Sequence, residues 1–154
     1  MRLGRITRSE NIWRRVNQVW YIINIMLQET NRLKKVRDFN LLMKYGCWAN
    51  GRFLDLKCLE LAKVRQYFPK KVDSTEFVGQ LKVAFTVGLK IDKRAVARNR
   101  VRRQMREVVR LLVKENRLKT GFYLLFVAKK DILGQEYAAI EKEAVGLLKK
   151  FGIL

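Results

Sequence analysis

The stretch from Lys90 to Lys119 constrains the fold more than any other. It holds twelve basic residues against three acids, Asp92, Glu107 and Glu115. A segment this charged folds only if its few apolar residues gather on one side. At about 100° per residue, Val101, Met105, Val108 and Leu112 fall within about 60° of one another, a stripe that can pack on a core. On the same wheel Arg98, Arg102, Arg106 and Arg110 lie at about 60°, 100°, 140° and 180°, and Arg103 and Arg100 reach about 200° and 260°. The spacing predicts a helix over about Ala97–Asn116 with guanidinium groups on half of its cylinder. Like charges four residues apart cost a few tenths of a kcal/mol per pair. A solvated face normally mixes Glu with Lys, whereas this one is almost pure Arg, whose planar fork matches phosphate oxygens. The helix is therefore read as a phosphate-binding surface.

Composition agrees. The chain has 154 residues, enough for one domain with one core, and 34 Lys and Arg against 14 Asp and Glu give a net charge of +20. A surface so basic repels itself unless a polyanion lies on it. Eight Phe, five Tyr and three Trp among 49% apolar residues argue against a disordered tail. There is no His, which excludes His-dependent triads, His general bases and His-ligated metal sites. Cys47 and Cys58 form no CxxC pair and are read as small buried hydrophobes of a reduced, intracellular protein. No apolar run approaches the ~20 residues of a membrane span, so a cytoplasmic location and no membrane partner are expected.

Residues 1–25 differ from the rest. Arg2, Arg5, Arg8, Arg14 and Arg15 precede a short apolar stretch from Val19 to Leu27. A basic membrane-surface helix or a signal peptide is one reading. The preferred one is an N-terminal extension upstream of a usual start at Met26, with residues 26–154 forming a single RNA-binding domain. That domain alone keeps a charge of +16.

A first helix is expected from Asn31, with Val36, Phe39 and Met43 on one face and Gly46 as its stop. Phe53–Leu61 reads as a strand. Residues 62–79 form a long connection holding the sole proline, Pro69, with a little helix around Ala62–Phe68. Next comes the cleanest alternation in the chain. Leu81, Val83, Phe85, Val87 and Leu89 point one way, while Lys82, Ala84, Thr86 and Gly88 form a small, open opposite face. After the arginine helix, Phe122–Ala128 suits a strand buried on both faces, and Tyr137–Phe151 a closing helix. The fold class is an α+β two-layer sandwich of order α-β-β(-β)-α-β-α, the optional strand lying near Trp48. An alternating strand ahead of the basic helix is not the pair of short helices a helix-turn-helix needs. Single-stranded or irregular RNA is the expected partner, and DNA is not.

The string Lys93-Arg94-Ala95-Val96-Ala97-Arg98-Asn99-Arg100-Val101-Arg102-Arg103 resembles the RNR signature of the bacterial ribonuclease P protein subunit. Asn31-Arg32-Leu33-Lys34-Lys35 leading to Asp38-Phe39 resembles that family's first helix, and Ala49-Asn50 followed by Phe53 resembles the entry to its strand. The strands Lys82–Val87 and Tyr123–Lys130 also fit, so the likeness covers about residues 28–152. It implies a fold like the second domain of ribosomal protein S5, with a left-handed βαβ crossover. It also implies an accessory role, in which a catalytic RNA removes the 5′ leader of precursor tRNA with Mg²⁺ held mainly by that RNA.

Carried over by position, Lys90, Arg94, Arg98, Asn99, Arg100, Arg102, Arg103 and Arg106 become RNA-binding residues. Arg32, Lys35, Phe39, Met43 and Phe53 become a leader cleft, with ordinary core packing the alternative for the two Phe. No catalytic residue and no protein metal site are expected. Three departures stand out. Gly88-Leu89-Lys90 replaces Ser-Lys-Lys with one extra residue, Met43 replaces a Phe, and the 62–79 connection is longer. The competing functions are a structural or ribosome-associated RNA-binder of similar fold and, least favoured, a free-standing protein nuclease.

Overall fold

A computed structural model describes residues 27–68 and 78–154. The N-terminal extension, the Met26 start and the Pro69 part of the long connection lie outside the described residues. The chain runs α1 (Val36–Tyr45), β1 (Cys47–Asn50), β2 (Leu54–Glu60), β3 (Leu81–Thr86), α2 (Ala95–Lys114), β4 (Phe122–Ala128) and α3 (Tyr137–Lys150). Short 3-10 helices occupy Glu29–Asn31, Leu61–Tyr67 and Lys130–Ile132. The expected order holds, with the optional strand realised as β1.

The sheet order is β1-β2-β4-β3. β1 and β2 are antiparallel, as are β2 and β4, while β3 runs parallel to β4 through the α2 crossover. The outer edge of β3 is not left bare. Arg32 bridges to Val83, and the Leu33 amide donates to the Val83 carbonyl at 3.0 Å. β4, hydrogen-bonded on both sides, is the continuous apolar run that both faces of a sheet can bury.

Each sheet face has its own core. On one, Leu54, Leu56, Val83, Leu124 and Phe126 meet Val101, Met105, Val108 and Leu112 of α2 and Ile140, Ala144, Leu147 and Leu148 of α3. The apolar stripe of α2 is thus buried as its periodicity requires. On the other face Leu59, Tyr123 and Leu125 meet Leu42 of α1 and Leu61 and Val64 of the 3-10 helix. The open face expected on β3 is therefore closed: Ala84 packs into this second core, and Lys82 reaches Asp38 of α1.

Three other expectations are corrected. β3 stops at Thr86, where its pairing with β4 ends, and a turn joining the Ile91 amide to the Gly88 carbonyl leaves Leu89 exposed. Cys47 is exposed because β1 is an edge strand; only Cys58 is buried, and burial pushes its thiol up to about 12. Gly46 does end α1, but in extended backbone, not the left-handed turn that glycine stops commonly use. What demands glycine there is space, since a Cβ would lie 2.5 Å from the Leu42 carbonyl oxygen.

α2 closes differently. Asn116, at φ 51°, follows its last turn, with the Arg117 amide on the Leu112 carbonyl and the Asn116 amide on that of Val113. That pairing is a Schellman motif with Asn in the left-handed position.

Candidate RNA interface

The arginine helix starts with a built N-terminus. Asp92 accepts from the Arg94 amide at 2.7 Å and from the Arg94 guanidinium. These donors hold its carboxyl below the usual range. Arg98 turns back, its Nη1 donating to the Asp92 and Lys93 carbonyls at 2.8 Å each. Arg98 is thus half committed to the loop that launches the helix. Arg102 Nη1 donates to Asn99 Oδ1 at 2.7 Å, joining two of the expected contact residues into one exposed unit.

Further along, the charge is less available. Arg110 donates to both carboxylate oxygens of Glu107, at 2.9 and 2.6 Å, and the pair neutralises itself. The uncompensated charge sits on Arg100, Arg103 and Lys90, all exposed. Among the described residues no Asp or Glu lies within ion-pair distance of these three. Arg106 is half-buried, and burial followed by the fields of Arg32, Arg102 and Arg103 holds its guanidinium below its usual range. A half-buried guanidinium with three others in its field is a ready seat for an anion.

Arg32 therefore belongs with this cluster. Its Nε donates to the Leu27 carbonyl at 3.0 Å beside the β3 edge, and it faces Arg106. Spacing along the chain gave no sign of this, because the two arginines are brought together only by the parallel bridge to β3.

The other expected cleft residues divide. Lys35, Phe39 and Met43 lie exposed along α1. The Val36, Phe39 and Met43 face points to water, while Asp38 and Leu42 face the sheet. Asp38 is 1% exposed, paired with Arg37 at 3.3 Å and Lys82 at 3.5 Å, and Tyr123 stands beside it. Burial, then the Asp38 charge, raise the Tyr123 hydroxyl.

Phe53 does not join Phe39. It packs against the core of the opposite face, with the Arg52 guanidinium carbon 5.3 Å from its ring centroid. Its amide donates to Glu143 of α3, as does that of Arg52. The core-packing alternative describes Phe53. Sequence reasoning missed Asp38, Glu143 and Lys57 as organisers, because a lone charged residue in a half-apolar segment does not announce its partner.

Among the described residues no group of three or more His, Cys, Asp or Glu is placed to hold a metal ion. No helix of the described residues is long and apolar enough to cross a membrane.

These features define a basic α+β protein whose longest described helix carries an arginine face. The family model for ribonuclease P matches residues 27–152. The ribonuclease P protein component of Synechococcus sp. (strain JA-2-3B'a(2-13)) is 32% identical over 129 residues, 84% of this chain and 87% of that one. That of Clostridium botulinum (strain Langeland) is 39% identical over 123 residues, 80% and 96% of the two chains. The fold is similar to that of the Staphylococcus aureus RNase P protein, with TM-score 0.62 at 18% identity, over 81% of this chain and 98% of that one. It is also similar to the RNase P protein from Thermotoga maritima, with TM-score 0.59 at 19% identity, over 77% and 96%. The chain belongs to the ribonuclease P protein family. It is a protein subunit of ribonuclease P, an RNA-binding component of tRNA processing.

Proposed function

We propose that this subunit assists an RNA that carries the chemistry: it binds the catalytic RNA through the α2 face and the 5′ leader of precursor tRNA along α1. Leader removal then depends on Mg²⁺ held mainly by the RNA, in the cytoplasm, with neither DNA nor membrane as partner. The observation that carries this reading is the cluster of Arg32, Arg102, Arg103 and Arg106 beside the exposed Arg100. Lys90, Arg94 and the Arg102–Asn99 unit extend it along the helix. Each exposed guanidinium can take two phosphate oxygens, and a bound phosphate offsets the neighbouring charges that add to the effect of burial on Arg106.

The absence of His from the chain, and of any carboxylate cluster among the described residues, supports placing the cleavage chemistry in RNA. The α1 side suits a leader because Phe39 and Met43 are exposed beside Lys35, and single-stranded bases stack on exposed aromatic faces.

The test is cleavage of a precursor tRNA at low Mg²⁺ with a bacterial catalytic RNA, with and without this protein, and with protein alone. Stimulation only when RNA and protein are both present is the expected result. Salt-sensitive RNA binding without stimulation, using a cognate RNA, makes the protein a structural RNA-binder. Cleavage by protein alone overturns the assignment of the chemistry to RNA.

A further inference from the structure

Trp48 stands on the edge strand β1 directly opposite Lys57 of β2, and 47% of it is exposed. Lys57 is only 6% exposed. Its ammonium lies 4.9 Å from the centroid of the indole and donates to the Met43 carbonyl at 2.6 Å. A buried ammonium is costly without compensation. Here it has two compensating partners: a carbonyl in the last turn of α1, at the negative end of the helix dipole, and the π face of the indole. One buried cation thus fastens the end of α1 to the ring of Trp48. The indole is held from beneath, and its exposed part faces water.

One side of the last turns of α1, where that carbonyl lies, is exposed too. Phe39 and Met43, four residues apart on α1, are 36% and 43% exposed. Lys35 and Lys44 flank them, both exposed. The acid of α1, Asp38, is buried and paired with Arg37 and Lys82. Asp55, two residues from Lys57 in β2, is paired with Lys129 at 2.8 Å. The track from Phe39 over Met43 to Trp48 is therefore apolar and aromatic, edged with lysine, on a chain of net charge +20. Aromatic faces interleaved with cations fit a single-stranded nucleic acid, whose bases stack while its phosphates find ammonium groups. An apolar peptide would have no use for the lysines.

We infer that Trp48 is a base-stacking position for single-stranded RNA, continuing the α1 track past Met43, and that Lys57 is the positioning residue that holds its ring. The inference rests on the leader reading above and extends it to a strand that the family comparison did not single out. Phe39 and Trp48 supply flat faces and Met43 a flexible contact between them, so the track spans more than one nucleotide. Nucleotides of a longer leader reach Trp48, and those of a short leader stop on α1.

The test uses the full chain with Trp13→Phe and Trp20→Phe, which leaves Trp48 as the sole tryptophan. Titration with unstructured oligouridylate quenches its fluorescence, because a stacked base quenches indole emission. Separately, Trp48→Ala weakens binding of a precursor tRNA with a long leader about tenfold, the effect of losing one stacked base. Binding of mature tRNA is unchanged. Lys57→Met, which refills the buried volume without the charge, lowers the anisotropy of Trp48 and weakens long-leader binding several-fold while the melting temperature holds.

Unchanged fluorescence on adding RNA overturns the inference, as does an equal loss for long-leader and mature tRNA with Trp48→Ala. The two readings separate cleanly. A wild-type protein with no preference for leader-bearing tRNA overturns the leader reading, while quenching of Trp48 by oligouridylate still supports the stacking position.

Discussion

Helix α2 turns its apolar stripe into the core and leaves Arg100 and Arg103 in water, whereas α1 buries an acid, Asp38, beside Leu42 against the sheet and leaves Phe39 and Met43 exposed. In α2 the side chains that hold the helix and those offered to a ligand are chemically distinct, so periodicity separates them. In α1 the two roles are not separated by chemistry, since Leu42 packs into the core while Phe39 and Met43 do not. An acid anchors the helix through Lys82 and Arg37, and the apolar residues are the ones offered. The lesson is that an apolar face can stay exposed when a buried ion pair helps a core residue dock the helix, and that surfaces of opposite chemistry can share one sheet.

Removing the anchor should give the largest effect. Asp38→Ala leaves Lys82 facing a buried site without its carboxylate, and breaking such a pair costs about 3 kcal/mol or more. Urea denaturation is expected to show that loss, while Arg100→Ala with Arg103→Ala leaves the midpoint unchanged or slightly higher, since like charges are removed. Equal destabilisation by both changes would erase the contrast between the helices.

On the ligand side the expected order reverses. Phe39→Ala should lose about 1–3 kcal/mol of affinity for leader-bearing precursor and little for mature tRNA, measured by filter binding. An equal loss on both would move Phe39 from the leader track to the scaffold.

The α2 face should answer to salt instead. Arg103→Ala is expected to flatten the slope of log K against log salt for the catalytic RNA by about one unit, the signature of one lost phosphate contact. Arg98→Ala is a poorer probe, because its guanidinium also holds the Asp92 and Lys93 carbonyls. The smallest effect belongs to Arg110→Ala, whose charge Glu107 already neutralises; its slope should match wild type. A full unit lost there would show that the Glu107 pair opens for RNA.

What could be read without the structure follows from short-range regularity. The stripe Val101, Met105, Val108 and Leu112, the strand Phe122–Ala128 and the Arg98-Asn99-Arg100 string each lie within one element, where spacing of 2 or 3.6 residues fixes which side chains share a face, and the order of elements follows from reading them in turn. The arginine surface was legible for the same reason. The fate of the β3 back face, the exposure of Cys47 and the turn that ends β3 at Thr86 were not, since each depends on a neighbour far away in sequence.

The amino-acid sequence by itself determined a basic α+β fold with arginines along one face of a helix, because helix and strand periods are local properties of the chain. Tertiary structure alone decided that Arg32 would face Arg106, that Phe53 would leave Phe39 for the other core, and that Lys57 would hold Trp48 at the end of α1. Those pairings join residues on different strands and helices, and a buried charge chooses its partner by what the fold brings within reach.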